Sequence, residues 1–495
     1  MKSSVLKKLA GETAIYGVSS ILSRLLNYVI LTPYLTRAFV TGEYGVVSDM
    51  YTYAGLLMVF FTYRMETTFF RFGSGSKEQM DKTFSTASWS LLVSSSVFVS
   101  ILLLSSQFLA NQLKYPEHVD YVILFTFIIA FDALSAIPFA RLRLENRPIR
   151  FAILKTLSIV INLIFIFFFL EGCPMLIENG VEWAAKLYDP DNRISFVFLS
   201  NLLASGLVFI FLLPMFRKLK FEFDAALWKK MLRYAMPLVV VGFAGVINQL
   251  ISMPLMKYLL PGDLESKLSE IGIYGGCYKI AILMSLFTQA FNYAAEPFFF
   301  RNAKEKNAKE TYAQVSQAFA LVGSLAFLGI MLYLDVVKYF LDDPYHVGLG
   351  VVPLLLLAFF GLGMYYNFSI WFKLTDRTKY GAYISLGGVA VTLTLNFLLI
   401  PKIGYMGAGW AALACYAFMA TVSYLIGQKY YPIAYPVGKI LGYIGSAILV
   451  YYLSQMIDLS GSHLAIRLLV STGFLLVWLG GIYLVEGRNL RLKDR

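Results

Sequence analysis

Charged side chains sit where the surrounding sequence is apolar, and they are the residues through which this chain could do chemistry. Arg24, Asp49, Arg64, Glu66, Asp132, Lys279 and Glu296 all interrupt long hydrophobic stretches. An ionisable group at the centre of a bilayer costs about 2.5–3.5 kcal/mol or more, so it marks either a pathway or a buried pair. At about 100° per residue along a helix, Tyr16, Ser20, Ser23, Arg24, Asn27 and Tyr34 share one side, a polar stripe that suits a water-filled cavity. A guanidinium on that stripe offers fixed donors that match phosphate oxygens. The alternative is an ion pair between Arg24 and a carboxylate on a neighbouring helix.

Arg64 falls on the same helix side as Asp49, whereas Glu66 is turned by about 200° from Arg64, so the two cannot face one cavity. Arg64 is therefore the cavity candidate, with Arg24, Asn27 and Lys279. Glu66 and Glu296 face their own helix bundles, either as carboxylates tying helices together or as holders of a proton or cation. Asp49 and Lys279 occupy matching places in two related spans. They form an outer gate of opposite charges, or each reaches the headgroup layer separately, as a lysine readily does. Asp132 has no charged counterpart, since Leu362 stands at the matching place. That suits a single ion or proton site, or a local helix cap ahead of Pro138.

The elements carrying these residues are duplicated. Tyr44–Arg71 (YGVVSDMYTYAGLLMVFFTYRMETTFFR) returns as Tyr274–Arg301 (YGGCYKIAILMSLFTQAFNYAAEPFFFR), with Tyr44/Tyr274, Glu66/Glu296 and Arg71/Arg301 among the identities. Asn27 and Pro33 match Asn248 and Pro254, Pro116-x-His118 matches Pro344-x-His346, and Arg143-Leu144-x-x-Arg147 matches Lys373-Leu374-x-x-Arg377. A span needs about 20 mostly apolar residues. Fourteen segments qualify, near 13–37, 44–70, 84–106, 120–140, 151–170, 194–215, 234–259, 272–299, 312–334, 347–371, 381–400, 406–427, 440–457 and 464–485. Six spans per copy is an even number, so the copies run in the same direction through the membrane. The expected fold is an all-α polytopic membrane protein of two parallel, pseudo-symmetric six-helix lobes plus two C-terminal helices. The expected division is 1–215 for the first lobe, 216–233 for a basic cytoplasmic linker, 234–427 for the second lobe, and 428–495 for spans 13–14 and a basic tail.

Composition agrees. The 495 residues are 58% hydrophobic and 15% charged, with mean hydropathy +0.66, far from the average soluble chain. The net charge of +12 is spread over short basic clusters between apolar runs, which suits membrane topology and excludes a nucleic-acid groove. Clusters such as Arg141–Arg150, Arg217–Arg233 and Arg488–Arg495 alternate with acidic loops carrying Glu178, Glu182, Asp189 and Asp191. The positive-inside rule then places both termini in the cytoplasm. The basic N-terminus is followed by an apolar stretch broken by Arg24 and Asn27, which reads as an uncleaved first span.

Three scattered cysteines and three scattered histidines give neither a disulfide framework nor metal-ligand spacing. No phosphate-cradling glycine loop is present, which excludes nucleotide hydrolysis. Asp189-Pro190-Asp191 is the one DxD-like triplet, and it lies in a short loop. A membrane-embedded glycosyltransferase or polymerase, which would need a large outer loop, is thus the weaker alternative. The expectation is a transporter rather than an enzyme, without cofactor or metal.

Asn396–Leu413 (NFLLIPKIGYMGAGWAAL) resembles the N-x-x-x-x-P-x-x-G-x-x-G-A-x-x-A signature of the multidrug/oligosaccharidyl-lipid/polysaccharide exporter superfamily, with Asn396, Pro401, Gly404, Gly407, Ala408 and Ala411 in place. The opening YGVSSILSRLLNYVILTPYLTRAFVTGEYG is similar to that superfamily's first span, and Arg24 matches an arginine common in its lipid-linked sugar flippases. The glycine-rich signature is not repeated after span 5, where EGCPMLIENG stands. The resemblance is to the fourteen-span polysaccharide or O-antigen flippases. It implies alternating access of two lobes and a polyprenyl-pyrophosphate-linked oligosaccharide as substrate, moved across a bacterial cytoplasmic membrane. It also implies Na+ or H+ as possible coupling ion, and other polysaccharide-assembly membrane proteins as partners. A cation-coupled multidrug antiporter of the same superfamily is the alternative, although Arg24, Arg64 and Lys279 point to an anionic substrate.

Overall fold

A computed structural model of the chain describes residues 27–216, 222–303, 305–457 and 463–493. The side chains of Asn27, Tyr293, Ala294, Glu296, Pro297, Arg301 and residues 487–493 lie outside the description. Every element among the described residues is helical, and thirteen helical segments are long and apolar enough to cross a membrane. This is the expected all-α polytopic class. Of the expected fourteen spans, the first, near 13–37, lies largely outside the described residues.

The long helices are α1 (Thr41–Thr62), α2 (Met65–Gly73), α3 (Lys77–Leu104), α4 (Val119–Leu144), α5 (Pro148–Phe167), α6 (Arg193–Leu212) and α7 (Ala225–Leu250). They continue with α8 (Leu264–Asn302), α9 (Ala308–Leu332), α10 (Val352–Phe368), α11 (Lys379–Ile403), α12 (Tyr405–Tyr430), α13 (Val437–Gln455) and α14 (Leu464–Lys493). With α1 and α2 counted together, each is the core of one span.

The residues form two compact units. One holds 27–31 with Val46–Pro254, the other Thr32–Gly45 with the chain from Leu255 onward. The units group by packing, whereas the lobes read from the repeat group by copy, and the two divisions differ at the start of each copy. Helix α7 packs on α2 and α3 of the first unit.

Within each unit the same packing recurs. In the first, α6 lies between α4 and α5, and α3 packs on α4; in the second, α12 lies between α10 and α11, and α9 packs on α10. The turn after α4 and the turn after the short helix Ile370–Leu374 that follows α10 also match. Asn146 (φ 53°) and Asp376 (φ 56°) are left-handed, and the next amides, Arg147 and Arg377, donate back to Leu142 and Phe372 at 2.9 and 2.8 Å. Asn and Asp are the non-glycine residues that tolerate this conformation best. At these turns the sequence duplication is also a duplication of backbone geometry.

The signature stretch 396–413 forms the α11–α12 hairpin. Pro401 lies in the last turn of α11, and Gly404 (φ 60°, ψ −142°) makes the turn. At Gly407 the backbone of Leu399 and Ile400 fills the place of a Cβ. Asn396 is fully buried and donates to the Thr392 carbonyl at 2.7 Å. Close helix approach, which small residues permit in membranes, accounts for these positions.

In the second unit α8 is the most enclosed span, with 83% of its apolar window buried, and α14 the least, with 6%. Helix α8 is crossed by the first turns of α1: the carbonyl of Leu268 stands where a Cβ on Gly45 would be, and that of Thr41 where a Cβ on Gly272 would be. Thr41 and Ser269 hydroxyls meet at 2.7 Å beside this crossing.

Candidate functional site

In the first unit the helix running from Thr41 breaks at Tyr63 (φ 29°) and Arg64 (φ 57°), both in the left-handed region. Such residues cost about 1–3 kcal/mol each unless their surroundings hold them. Here Tyr63 is anchored: its hydroxyl meets Ser90 on α3 at 2.6 Å, and the Trp228 indole donates to Ser90 at 2.6 Å. The copy, α8, is continuous through Tyr293 and Ala294. The break therefore belongs to the half that carries an arginine.

Arg64 itself is exposed, and its guanidinium lies against Gly242 of α7, in the space a Cβ at that position would need. Beside it, Phe60 meets Phe243 edge-on at 4.8 Å. Phe60 and Tyr63 also line an apolar recess of about 750 Å³ with Trp89, Phe98, Trp228 and Val239. Arg64 directly follows Tyr63, which lines that recess, and a cation next to an aromatic recess in a span suits an anionic group on an apolar stem.

The remaining candidates are distributed as follows. Arg24 lies outside the described residues. Asn27 begins a wide π-helical turn, Asn27–Leu31, just before Pro33, and Glu296 lies on α8; the side chains of both are outside the description. Asp49 is fully buried on α1 and accepts a 2.8 Å hydrogen bond from the Tyr115 hydroxyl. Tyr115 lies between spans, and burial, with the Asp49 carboxylate next to it, pushes its hydroxyl well above the ordinary phenol range. Lys279 is half-buried on α8, in the other unit.

Glu66 is paired. Its carboxylate accepts from Arg143 of α4 at 2.9 Å, and the same guanidinium lies over the Phe70 ring at 4.8 Å. Around it run further pairs, Arg141 with Asp81 at 2.5 Å and Glu145 at 2.6 Å, and Lys82 with Asp224 at 2.7 Å. Together they lace α2, α3, α4 and the start of α7 at one end of the unit. Asp224 also caps α7 by accepting from the Leu227 amide at 2.8 Å. The Lys82 ammonium, and then that amide, hold its carboxyl below the usual range.

Asp132 on α4 lies beside Ser205 of α6 and Lys155 of α5, and the Ser205 hydroxyl donates to Asn201 Oδ1 at 3.4 Å. Asn201, one turn from Ser205, donates to the Tyr51 hydroxyl at 2.7 Å. Tyr51, Asn201 and Ser205 escaped the sequence reading, because uncharged polar residues in a span raise no alarm one at a time. The i, i+4 spacing of Asn201 and Ser205 was the available signal. A second polar cluster was missed in the other unit. Glu486 of α14 accepts from Tyr443 at 2.6 Å and from Lys439 at 2.9 Å on α13, and Gln317 of α9 donates to Tyr443 at 2.8 Å. It fastens the last two helices to α9. Among the described residues no group of three His, Cys, Asp or Glu side chains could hold a metal ion.

Residues 9–303 match the family model described as polysaccharide biosynthesis protein. The chain belongs to that family. This bears out the resemblance to the multidrug/oligosaccharidyl-lipid/polysaccharide exporter superfamily. A search of curated proteins by sequence finds no match. Among solved structures, the family member is similar to a lipid II flippase MurJ in an inward closed conformation (TM-score 0.73, 14% identity, 96% of this chain and 99% of that one). It is also similar to an inward-facing multidrug resistance MATE family transporter of the MOP superfamily (TM-score 0.63, 11% identity, 84% and 94%). A third is the Vibrio cholerae MATE transporter VcmN in a bent form (TM-score 0.53, 14% identity, 91% and 99%). The fold is shared with these transporters and flippases.

Proposed function

We propose that this chain translocates a polyprenyl-pyrophosphate-linked oligosaccharide across a bacterial cytoplasmic membrane by alternating access, for surface polysaccharide assembly. One observation carries the reading: a family otherwise defined by polysaccharide synthesis here presents an accessible arginine at a helix break within a membrane span. The likeness to a lipid II flippase supports a lipid-linked saccharide as the substrate class. Arg64, with Arg24, Asn27 and Lys279, binds the pyrophosphate, while the tail stays in lipid and aromatic faces receive the sugars. Asp49 and Lys279 act as the outer gate. Asp132, beside Ser205 and Lys155, is the favoured coupling site for H+ or Na+, ahead of Glu66 and Glu296. Both termini are cytoplasmic, and the membrane potential at about 2.3 kcal/mol per charge per 100 mV could assist.

A second reading, a cation-coupled multidrug antiporter, draws support from the likeness to MATE transporters. Reconstitution separates the two. Proteoliposomes supplied with fluorescent polyprenyl-pyrophosphate saccharides should show flipping, and organic cations should not be exchanged for protons. Cation exchange without saccharide flipping would overturn the proposal.

A further inference from the structure

Helices α13 and α14 lie outside the repeat, and where they meet α9 they enclose a cavity of about 460 Å³ at one membrane face. Among the described residues, its charged ones are Asp335, Lys338 and Arg467. Arg467 Nη1 donates to Asp335 Oδ1 at 3.1 Å, and Lys338 Nζ approaches the same oxygen at 3.2 Å. One carboxylate thus serves two cations, and the described residues lining the cavity carry a surplus positive charge. Arg467 has five N–H donors in a rigid fork. Its buried Nε has no acceptor among the described residues. A buried donor left unmade is costly. Ser454, Gln455 and Ser471 add uncharged donors to the wall, and Met331, Leu332 and Tyr451 form an apolar side.

We infer that this cavity binds the phosphate of an anionic phospholipid headgroup. Phosphate supplies the acceptors that Arg467 and Lys338 lack, in the geometry a guanidinium prefers. The apolar side of the wall receives the start of an acyl chain, and the position at the ends of α9 and α13 and the start of α14 is headgroup depth for one leaflet. The pocket is separate from the residues assigned to the transported substrate and does not depend on that assignment.

The test uses the purified full-length protein in detergent, titrated with short-chain phosphatidylglycerol, the matching phosphatidylcholine, or inorganic phosphate, and read by native mass spectrometry and thermal melting. Phosphatidylglycerol should be retained in preference to phosphatidylcholine, with inorganic phosphate giving no comparable melting shift. Arg467→Gln should weaken phosphatidylglycerol retention about tenfold, the loss of a charge-assisted hydrogen bond, and Lys338→Gln should weaken it in the same direction. Asp335→Asn should strengthen it, because it frees both cations. A merely structural ion cluster predicts the opposite for Asp335→Asn, namely weaker retention and a lower melting temperature alike. Equal retention of the two lipids, an Arg467→Gln variant that binds like the wild type, or a melting shift with inorganic phosphate equal to that with phosphatidylglycerol would each overturn the assignment.

Discussion

The sharpest consequence concerns Gly242, a residue with no chemistry of its own. The Arg64 guanidinium occupies the volume a Cβ would take there. In Gly242→Ala the obstruction is therefore the far end of a flexible, exposed side chain, which can swing aside. Folding should tolerate that, since alanine gains up to about 1 kcal/mol over glycine in a helix interior, offsetting part of any lost contact. Substrate binding should not tolerate it. If Arg64 must hold its guanidinium at α7 to meet a pyrophosphate, displacing it removes a charge-assisted bond of about 1.5–3 kcal/mol, or roughly 10- to 100-fold in affinity. Flipping of a fluorescent lipid-linked saccharide by Gly242→Ala proteoliposomes should thus fall to near the level of Arg64→Ala, while the melting temperature stays close to that of the wild type. Full transport by Gly242→Ala, alongside an inactive Arg64→Ala, would refute the view that the position of the guanidinium, rather than its mere charge, matters. Full transport by Arg64→Ala would dismiss Arg64 as a ligand altogether.

Other outcomes follow from the same geometry. Gly45→Ala or Gly272→Ala should be far more damaging than Gly242→Ala, because the obstruction is backbone carbonyl rather than a mobile tip; overpacking of about 1–3 kcal/mol or more should appear as lost expression and melting temperature. Tyr443→Phe removes a bond to Glu486 and should lower stability by about 1 kcal/mol, with hydrogen exchange rising in α13 and α14. Glu66→Gln breaks a half-exposed ion pair with Arg143 worth at most about 1 kcal/mol; unaltered transport by the double variant with Glu296→Gln would remove both from coupling. Asp224 has a folded pKa below its unfolded value, so its contribution is fully present above about pH 4 and lost as pH falls through the lower folded value. An acid melt of Asp224→Asn should therefore converge with the wild type at low pH and separate from it near neutrality.

The sequence alone determined that the chain is a helical membrane protein and that it is built twice. Burial of about 20 apolar residues per span is a property of composition along the chain, and the repeated turns at Asn146 and Asp376 adopt the same left-handed geometry, although Tyr44–Arg71 breaks where its copy is continuous. The signature around Asn396 and Gly404 was likewise legible, because a tight hairpin needs particular small residues at fixed spacing. Helix phase counted from the sequence does not fix the directions of Arg64 and Glu66, because the helix breaks at Tyr63 and Arg64; packing places them against α7 and Arg143 respectively.

What one helix's pattern could not reveal was partnership. Tyr115 on Asp49, Asn201 on Tyr51 and Glu486 among Tyr443 and Lys439 join residues far apart in sequence. A span shows which face is polar, but only packing decides which other span meets that face. Tertiary structure also decided that α7 joins the first unit while Thr32–Gly45 joins the second, since contacts ignore the copy from which a helix came. The break at Tyr63 and Arg64 is of the same kind. Neither Tyr63 nor Arg64 is a helix breaker by type, and the Tyr63 side chain is anchored by Ser90, which in turn accepts from the Trp228 indole of another helix.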